Sequence, residues 1–584
     1  MREIISLNEN WTLSFPKGER PTEQVTLPHT WNAVDGMDGN GSYLRTTGVY
    51  TRTFTQPKQP LACGRTYVEV LAAALAATVK VNGQVATTHE GGFSIFRADV
   101  TDLCHEGDNE LTIEVSNEDT PSMYPASADF TFYGGLYRGV NLISVPGTHF
   151  DLDYFGGPGI KVTPKPTEDG GATFEIESWV TNGEEAYTVM YSIEDCYGNE
   201  VASGVRPCDS TKVTLYVPDA QLWSMDEPNL YTVTARLQKN NETFDEIYAN
   251  VGVRSYTVTP NDGFSINGVP TPLRGVARHQ DRLYKGNALT AEDHYEDAML
   301  IKEMNMNAVR SHYPPDEHFL DMCDSLGLVY LDELAGWQDA YDSEVGSKLV
   351  REMVRRDVNH PCIILWCNGN EGGWNYDTDP LFARYDKLQK RHVIHPWADF
   401  DDLDTHHYPA YLTGVARFTN GYKVFMPTEF MHAMYDQGGG AGLRDFWDRW
   451  LTNPMFAGGF VWVFCDEAPR RSDKDGILDS DKSNAPDGVV GPRREKEGSY
   501  YAIRAQWSPI QLKPLHITSH FDGSFLLTNE YTYTNLKDCR MDWRVLKCDT
   551  PLQGTVAAAP VALAEGEVTL PAIAPGETGT ARFD

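Results

Sequence analysis

The chain has 584 residues, with 49 Lys and Arg against 83 Asp and Glu, a formal charge of −34 and a pI near 4.8. Hydrophobic residues amount to 41 % and aromatics to 11 %, so several packed cores are expected and disorder is excluded as the main state. The charge excludes a nucleic-acid surface, which needs the opposite sign, and favours a neutral ligand over a polyanion.

Residues 1–148 alternate in short runs (GVYTRTF, RTYVEVLAA, ATVKVNGQVA, NELTIEVSN) separated by Gly, Asn and Pro turns, which predicts an antiparallel sandwich. Residues 149–257 repeat the rhythm in a smaller immunoglobulin-like module, with IKVTPKP, ATFEIESWV and YTVTARLQ. At residue 258 the pattern changes and runs to 510 as alternating helix and strand. LTAEDHYEDAMLIKEMN reads as a helix with Ala298, Leu300, Ile301 and Met304 on one face, NAVRSHYPP as a strand, DEHFLDMCDSLG as a helix and LVYLDE as a strand. SKLVREMVRRDVNH reads as a helix and CIILWCN as a strand; LDTHHY, KVFMPTEF and FAGGFVWVF continue the series. About eight strand-like runs over roughly 250 residues match a (β/α)8 TIM barrel. Residues 511–584 return to strand periodicity, as in a further β-sandwich that ends before all its strands are present.

The ten cysteines form no metal-like pairs, and Cys323, Cys362, Cys367 and Cys465 sit in or beside apolar runs as buried thiols. The opening MREIISLNENWTLSF has no leader character and no stretch is long and apolar enough for a membrane span, so cytoplasm or periplasm is expected, with no membrane partner.

Two acids stand at the ends of predicted barrel strands: Glu371 closes RDVNHPCIILWCNGNE and Glu429 closes KVFMPTE. Either alone is equally a salt-bridge or capping residue. On one rim they suit glycoside hydrolysis, in which a protonated carboxyl gives its hydrogen to the leaving oxygen and an ionised one attacks the sugar. Asn370 is positioned to orient a sugar hydroxyl, Tyr408 to donate to Glu429, and Trp462 to wall one sugar face. His279, His312, His406, His407 and His432 read as neutral donors to hydroxyls, since no HExxH pattern marks a zinc site. Arg274, Arg278 and Arg310 are expected near strand ends, pinning the carboxylates or serving only an ion-pair network.

NHPCIILWCNGNE and TEFMHAM together resemble the acid/base and nucleophile motifs of glycoside hydrolase family 2, closest to its beta-galactosidase branch. PLRGVARHQ, NAVRSHYP, RDFWDRWLTNPMFAGGFVWVF and DFTFYGGLYRGV are similar to further family segments. The resemblance implies an N-terminal jelly-roll, an immunoglobulin-like sandwich, a catalytic TIM barrel and a C-terminal sandwich. It assigns Glu371 as acid/base and Glu429 as nucleophile. Asp129, His312, Asn370, Tyr408, His432 and Trp462 become sugar contacts.

That resemblance implies an exo-acting retaining beta-galactosidase with a glycoside or oligosaccharide substrate, no organic cofactor and a homodimer or homotetramer. A sodium ion near the sugar would fall on Asp129 and Asp487. The chain departs from the family pattern in three places: Trp337 and Asp339 replace the magnesium ligands, Asp487 replaces the sodium-site asparagine, and RTTG replaces NPTG. The Asn-x-Lys of family glucuronidases does not follow the eighth strand; Asn535 to Lys537 is the sole NLK, expected as a strand-and-turn piece. The alternatives are a beta-glucuronidase or another family 2 glycosidase, and a carbohydrate-binding protein with an inactive barrel.

Overall fold

A computed structural model of the protein describes all residues except 36, 38–42, 57–63, 121–127, 129, 155, 185, 211, 390, 433–439, 468–474, 476–486, 515–517, 550–557 and 584, and the side chains of 417, 420 and 514. The chain divides into two units, Met1–Ala502 and Ile503–Asp584.

The first unit opens with a jelly-roll sandwich. One sheet orders Glu3–Ser6, Val140–Val145, Arg65–Val70 and Phe96–Asp99. The other orders Glu23–Val25, Trp11–Ser14, Thr47–Thr55, Asp108–Ser116, Ala76–Val81 and Gln84–Glu90. Strand alternation sends Leu111, Ile113 and Val115 inward, where they meet Trp11, Tyr50, Val68 and Leu142 in one core. An immunoglobulin-like sandwich follows, with a three-stranded sheet (Ile160–Pro166, Ala172–Ser178, Lys212–Val217) and a four-stranded one (Glu200–Pro207, Thr188–Glu194, Tyr231–Lys239, Glu242–Val251) around Phe174, Tyr191 and Val233.

The rest of this unit is a TIM barrel. Its strands are β1 Leu273–Ala277, β2 Ala308–Arg310, β3 Val329–Trp337, β4 Ile363–Asn370, β5 His392–Ile394, β6 Leu403–Asp404, β7 Val424–Phe425 and β8 Gly458–Val461. Parallel ladders join β5 to β4, β3, β2, β1 and β8 in that order, and β6 to β7. A parallel bridge from Phe425 to Phe456 carries β7 toward β8. Every residue of β4 is buried, as expected of a strand covered on both faces.

The intervening helices are α1 Ala291–Glu303, α2 Glu317–Leu326, α3 Ser343–Asp357, α4 Asp379–Tyr385, α5 Thr413–Asn420 and α6 Leu443–Trp450. Thr290 and Asp293 close a capping box on α1, whose Ala298, Leu300 and Ile301 are buried against the barrel together with Met304 just beyond it. Helix α3 begins ahead of SKLVREMVRRDVNH because the Asp342 carboxylate accepts from Glu344 N and Val345 N and starts the helix there.

The second unit, taken by itself, has a three-stranded sheet (Ile510–Pro514, Ser524–Asn529, Thr578–Arg582) and the pair Arg540–Lys547 with Val561–Thr569, packed on Leu527, Leu536 and Val568. Asn535 to Lys537 lies here as a turn capped by the Asn535 side chain. No helix among the described residues is long and apolar enough to cross a membrane.

Candidate active site

Strand β4 ends in a turn that only glycine fits. Gly369 has φ +77°, and a Cβ there would overlap the carbonyl oxygen of Gly373. Asn370 O accepts from Gly373 N at 2.8 Å, and Glu371 emerges with φ +46°, its own amide donating to Pro396 O at 3.2 Å. Glu429, beyond β7, is fixed through its carbonyl, which accepts from Tyr408 N at 2.8 Å; Tyr408 also has φ +46°. Non-glycine residues in the left-handed region are costly and concentrate where a side chain must be aimed. The two acids end on one rim: oxygens of Glu371 and Glu429 and a nitrogen of His407 lie within 4.8 Å of one another.

Arg310, at the end of β2 and fully buried, organises the rim. It donates to Glu429 Oε1 at 2.8 Å, to Glu333 Oε2 at 2.7 Å and to Asn370 Oδ1 at 2.7 Å. Because a guanidinium only donates, this fixes the Asn370 amide with its oxygen toward Arg310 and its NH2 away from it. Tyr408 Oη donates to Glu429 Oε2 at 2.6 Å. Burial alone would raise Glu429, but the Arg310 guanidinium, the neighbouring His312 and the Tyr408 hydroxyl hold it below the usual carboxylate range, with no charge needed on His407. That favours the ionised form.

The other expected residues divide into those brought to this rim and those that are not. His312 contacts Glu333 Oε1 at 3.1 Å and Glu429 Oε1 at 3.6 Å, with its ring 5.0 Å from that of Trp462. Trp462 donates Nε1 to Asp487 Oδ2 at 2.9 Å, and His432 Nε2 is 3.4 Å from the same oxygen. Burial pushes His432 down to about 4, so it is a neutral imidazole. Phe130 of the N-terminal sandwich stacks near His312, with centroids 6.3 Å apart, so that sandwich reaches the barrel rim at Phe130. Asp129 itself lies outside the described residues.

Arg274 needs correcting as a support for the acids. It occupies the opposite, N-terminal end of β1, where Nε donates to Asn305 O at 2.9 Å. Arg278 is likewise spent on Asp297 at 2.7 Å, a pair that Arg494 joins.

Three further side chains complete the site. Glu333, fully buried, anchors Arg310 and His312. Trp337 donates Nε1 to Glu371 Oε2 at 3.0 Å. A bulge puts it there: the β3–β4 register steps from Leu334 opposite Asn368 to Trp337 opposite Asn370, one residue too many on β3. His407 places Nδ1 2.9 Å from Glu371 Oε1 and 3.3 Å from Glu429 Oε2. The aromatic at 337 and the HHY run are visible in the sequence, but neither a bulge nor a ring direction is.

Two groups of described residues bring acid, imidazole or thiol atoms within 4.8 Å of each other: Glu371 with His407 and Glu429, and Asp324 with His360 and Cys362. In the first, Trp337 already donates to Glu371, and Arg310 and Tyr408 to Glu429. In the second, burial opposes charge on His360, yet the Asp324 carboxylate 2.6 Å away raises it to about 9, giving an imidazolium ion pair that would have to release its proton before it could ligate a metal.

Comparison with known proteins agrees with this architecture. Residues 4–146, 158–254 and 258–480 match the sugar-binding, central and TIM-barrel domains of "Glycosyl hydrolases family 2". The chain is 32 % identical to a beta-glucuronidase of Bacteroides fragilis over 63 % of its own length and 56 % of that protein's. It is 28 % identical to a beta-galactosidase of Thermoanaerobacter pseudethanolicus over 74 % of its length and 62 % of that protein's. The chain thus spans little more than half the length of these curated relatives. Among solved structures it is similar to an FMN-binding beta-glucuronidase from Facaelibacterium prausnitzii L2-6, with 47 % identity, TM-score 0.81, and coverage of 99 % of this chain and 97 % of that one. A putative beta-galactosidase from Bacteroides fragilis shares the fold at 21 % identity, with TM-score 0.78 and coverage of 99 % of this chain and 97 % of that one. With a three-domain match over these residues and a near-full-length relative of that identity, the chain belongs to glycosyl hydrolase family 2.

Proposed function

We propose that this protein is an exo-acting retaining β-glycosidase, with Glu371 as acid/base and Glu429 as nucleophile. The observation that carries the reading is that the two carboxylates flank one imidazole, His407, with an oxygen of each within 4.8 Å, which accords with the roughly 5 Å between the carboxyl groups of retaining enzymes. Glu429, held ionised, attacks the anomeric carbon while the hydrogen of Glu371 passes to the leaving oxygen. Glu371, now a carboxylate, then takes a proton from water as that water displaces Glu429. Asn370, turned by Arg310, offers its NH2 to a sugar hydroxyl, and His312, His432 and Trp462 line the sugar's side of the acids.

A terminal β-linked galactose is the substrate favoured here. Asp487 adds a carboxylate beside Trp462 and His432, while Arg310 is spent on Glu333, Glu429 and Asn370. A neutral hydroxyl suits those surroundings better than a second carboxylate, and a sodium ion would suit Asp487 equally. A β-glucuronide is the second reading, supported by the likeness to the Facaelibacterium enzyme.

Nitrophenyl β-galactoside, β-glucuronide and β-mannoside offered to wild type, Glu371→Gln and Glu429→Gln test both levels. Turnover by wild type alone, falling by about 10³-fold or more in each variant, is expected. No turnover of any sugar by wild type sinks the enzyme reading, and preference for the glucuronide reverses the ranking of sugars.

The same relative brings FMN binding to this chain as a proposal. A cleft of about 420 Å³ between the immunoglobulin-like sandwich and the N-terminal end of β5, lined by Arg254, Tyr256, Gln389 and His392, fits such a ligand. The buried Arg254 there donates to the carbonyls of Pro361 and Ile363 and has no carboxylate partner among the described residues, which leaves its charge for a phosphate. FMN would supply redox chemistry, which glycosyl transfer does not use. Quenching of FMN fluorescence on titration with the protein checks the proposal; unquenched FMN removes it.

A further inference from the structure

We propose that His407 is a positioning residue that holds the transferable hydrogen on Glu371, by presenting an unprotonated Nδ1 to Glu371 Oε1. The inference rests on the retaining-glycosidase reading above.

The hydrogen-bond inventory around His407 leads to it. Thr428 Oγ1 donates its single hydrogen to Thr405 O at 3.0 Å. The 2.9 Å contact between Thr428 Oγ1 and His407 Nε2 then requires the hydrogen to sit on Nε2. Burial pushes the imidazole down to about 3; Glu429 opposes this, while Arg310, His312 and His406 add to it, so the ring is neutral. A neutral ring with Nε2–H bears a lone pair at Nδ1. That lone pair faces Glu371 Oε1 at 2.9 Å, a distance at which two acceptors repel and a hydrogen must lie between them. Glu371 Oε2 is already served by the indole N–H of Trp337, and Glu429 Oε2 by the hydroxyl of Tyr408. The hydrogen therefore belongs to Glu371 Oε1.

Both halves of the reaction follow. When a glycoside binds, its leaving oxygen replaces Nδ1 as acceptor. The Oε1–H bond breaks toward that oxygen as the C1–O bond breaks and Glu429 bonds to C1. The resulting Glu371 carboxylate again faces the Nδ1 lone pair, an arrangement relieved when Oε1 takes a proton from water. That water's oxygen bonds to C1, Glu429 leaves as a carboxylate, and the starting state returns. His407 gives and takes no proton; it favours the acid form of Glu371 at both ends of the cycle.

The test compares His407→Met, whose thioether is only a weak acceptor, with His407→Gln, whose amide oxygen is a strong one. In the Met variant the alkaline limb of the kcat/KM profile moves to lower pH. Alkyl glycosides, which need the proton, lose about tenfold or more, while dinitrophenyl glycosides, which leave without one, change little. Gln restores part of the alkyl rate. An unmoved limb with equal losses on both leaving groups overturns the proposal. Isotope-edited NMR of labelled histidine in the wild type, with the variants identifying the signal, reads the tautomer without any assay. Nε2–H is expected, and Nδ1–H or imidazolium overturns the proposal even in an active enzyme. An enzyme inactive on every sugar while showing the Nε2–H tautomer removes the glycosidase reading and the role with it, but leaves the hydrogen-bond assignment standing.

Discussion

Arg310 ties Glu333, Glu429 and Asn370 into one buried cluster, so its removal leaves two carboxylates uncompensated. Arg310→Met is expected to cost about 3–5 kcal/mol in denaturant unfolding, because an isolated buried charge loses solvation without regaining a partner. Tyr408→Phe is milder. It removes one donor at 2.6 Å from Glu429, so kcat falls by about 10²–10³-fold with little change in KM. Glu429 reacts as the anion and the lost hydrogen bond favoured the anion, so the acid limb of the kcat profile moves to higher pH. An unmoved limb counts against the Tyr408 bond as the cause. Glu371 and Glu429 are legible in the chain because each closes a buried run at a strand end, and two such carboxylates seldom arise from helix capping or surface pairing alone. Glu333 is not: inside LVYLDE it looks like any polar residue of a strand, and only the closed barrel turns it toward Arg310. Asp129 and Asp487 are tied to a cation only by resemblance, and the structure adds the Trp462 bond to the second.

Periodicity places the barrel's helices and most of its strands, but turn chemistry sets where they stop. Helix α2 ends on Gly327, whose φ of +68° and lack of a Cβ let the chain pass the carbonyl of Met225. Gly327→Ala is expected to cost about 2 kcal/mol or more, the left-handed penalty plus the overlap. Asp342→Ala, which only uncaps the exposed start of α3, should cost about 1 kcal/mol. Both changes lie away from the acids, so the variants' kcat values stay near wild type while their denaturation midpoints separate in that order. Equal midpoints would mean that the turn at Gly327 relaxes. Strands β6 and β7 are two residues each in the ladder, far shorter than the runs LDTHHY and KVFMPTEF that announce them. The remainder of each run leaves the ladder to carry His407, Tyr408 and Glu429 into the site, so apolar length alone overstates the strands where function takes over the backbone.

Titration binds these parts into one pH response of the first unit. His29, His294 and His432 are held near 4 and His407 near 3, each chiefly by burial, against 6.5 for the exposed group. Below 6.5 the unfolded chain takes up protons that the folded one refuses. The contribution is therefore complete above 6.5 and declines as pH falls, by about 1.4 kcal/mol per pH unit for each histidine. Asp466 acts in the opposite sense: burial raises it to about 7, so it adds stability as pH falls through that value, as do Asp281 and Asp332, which burial also raises, whereas His149 and His279 are lowered by burial with the other histidines. His360, raised to about 9, contributes fully below 6.5 and is lost as pH rises through 9. Stability should thus peak near about pH 7 and fall on both sides. All these residues lie within Met1–Ala502, so in calorimetry at fixed salt the transition of that unit moves down at about pH 5 and again at about pH 9, while that of Ile503–Asp584 does not share these terms. The charge of −34 makes the opposite case, since acidification toward the pI of 4.8 relieves repulsion across the surface. Added salt separates the two. Screening shortens the reach of surface repulsion to about 10 Å at 0.1 M but leaves buried imidazoles untouched, so the acid-side fall should persist in salt. A transition that rises steadily from pH 7 to 5 in salt would show that the buried histidines do not govern the stability of this fold.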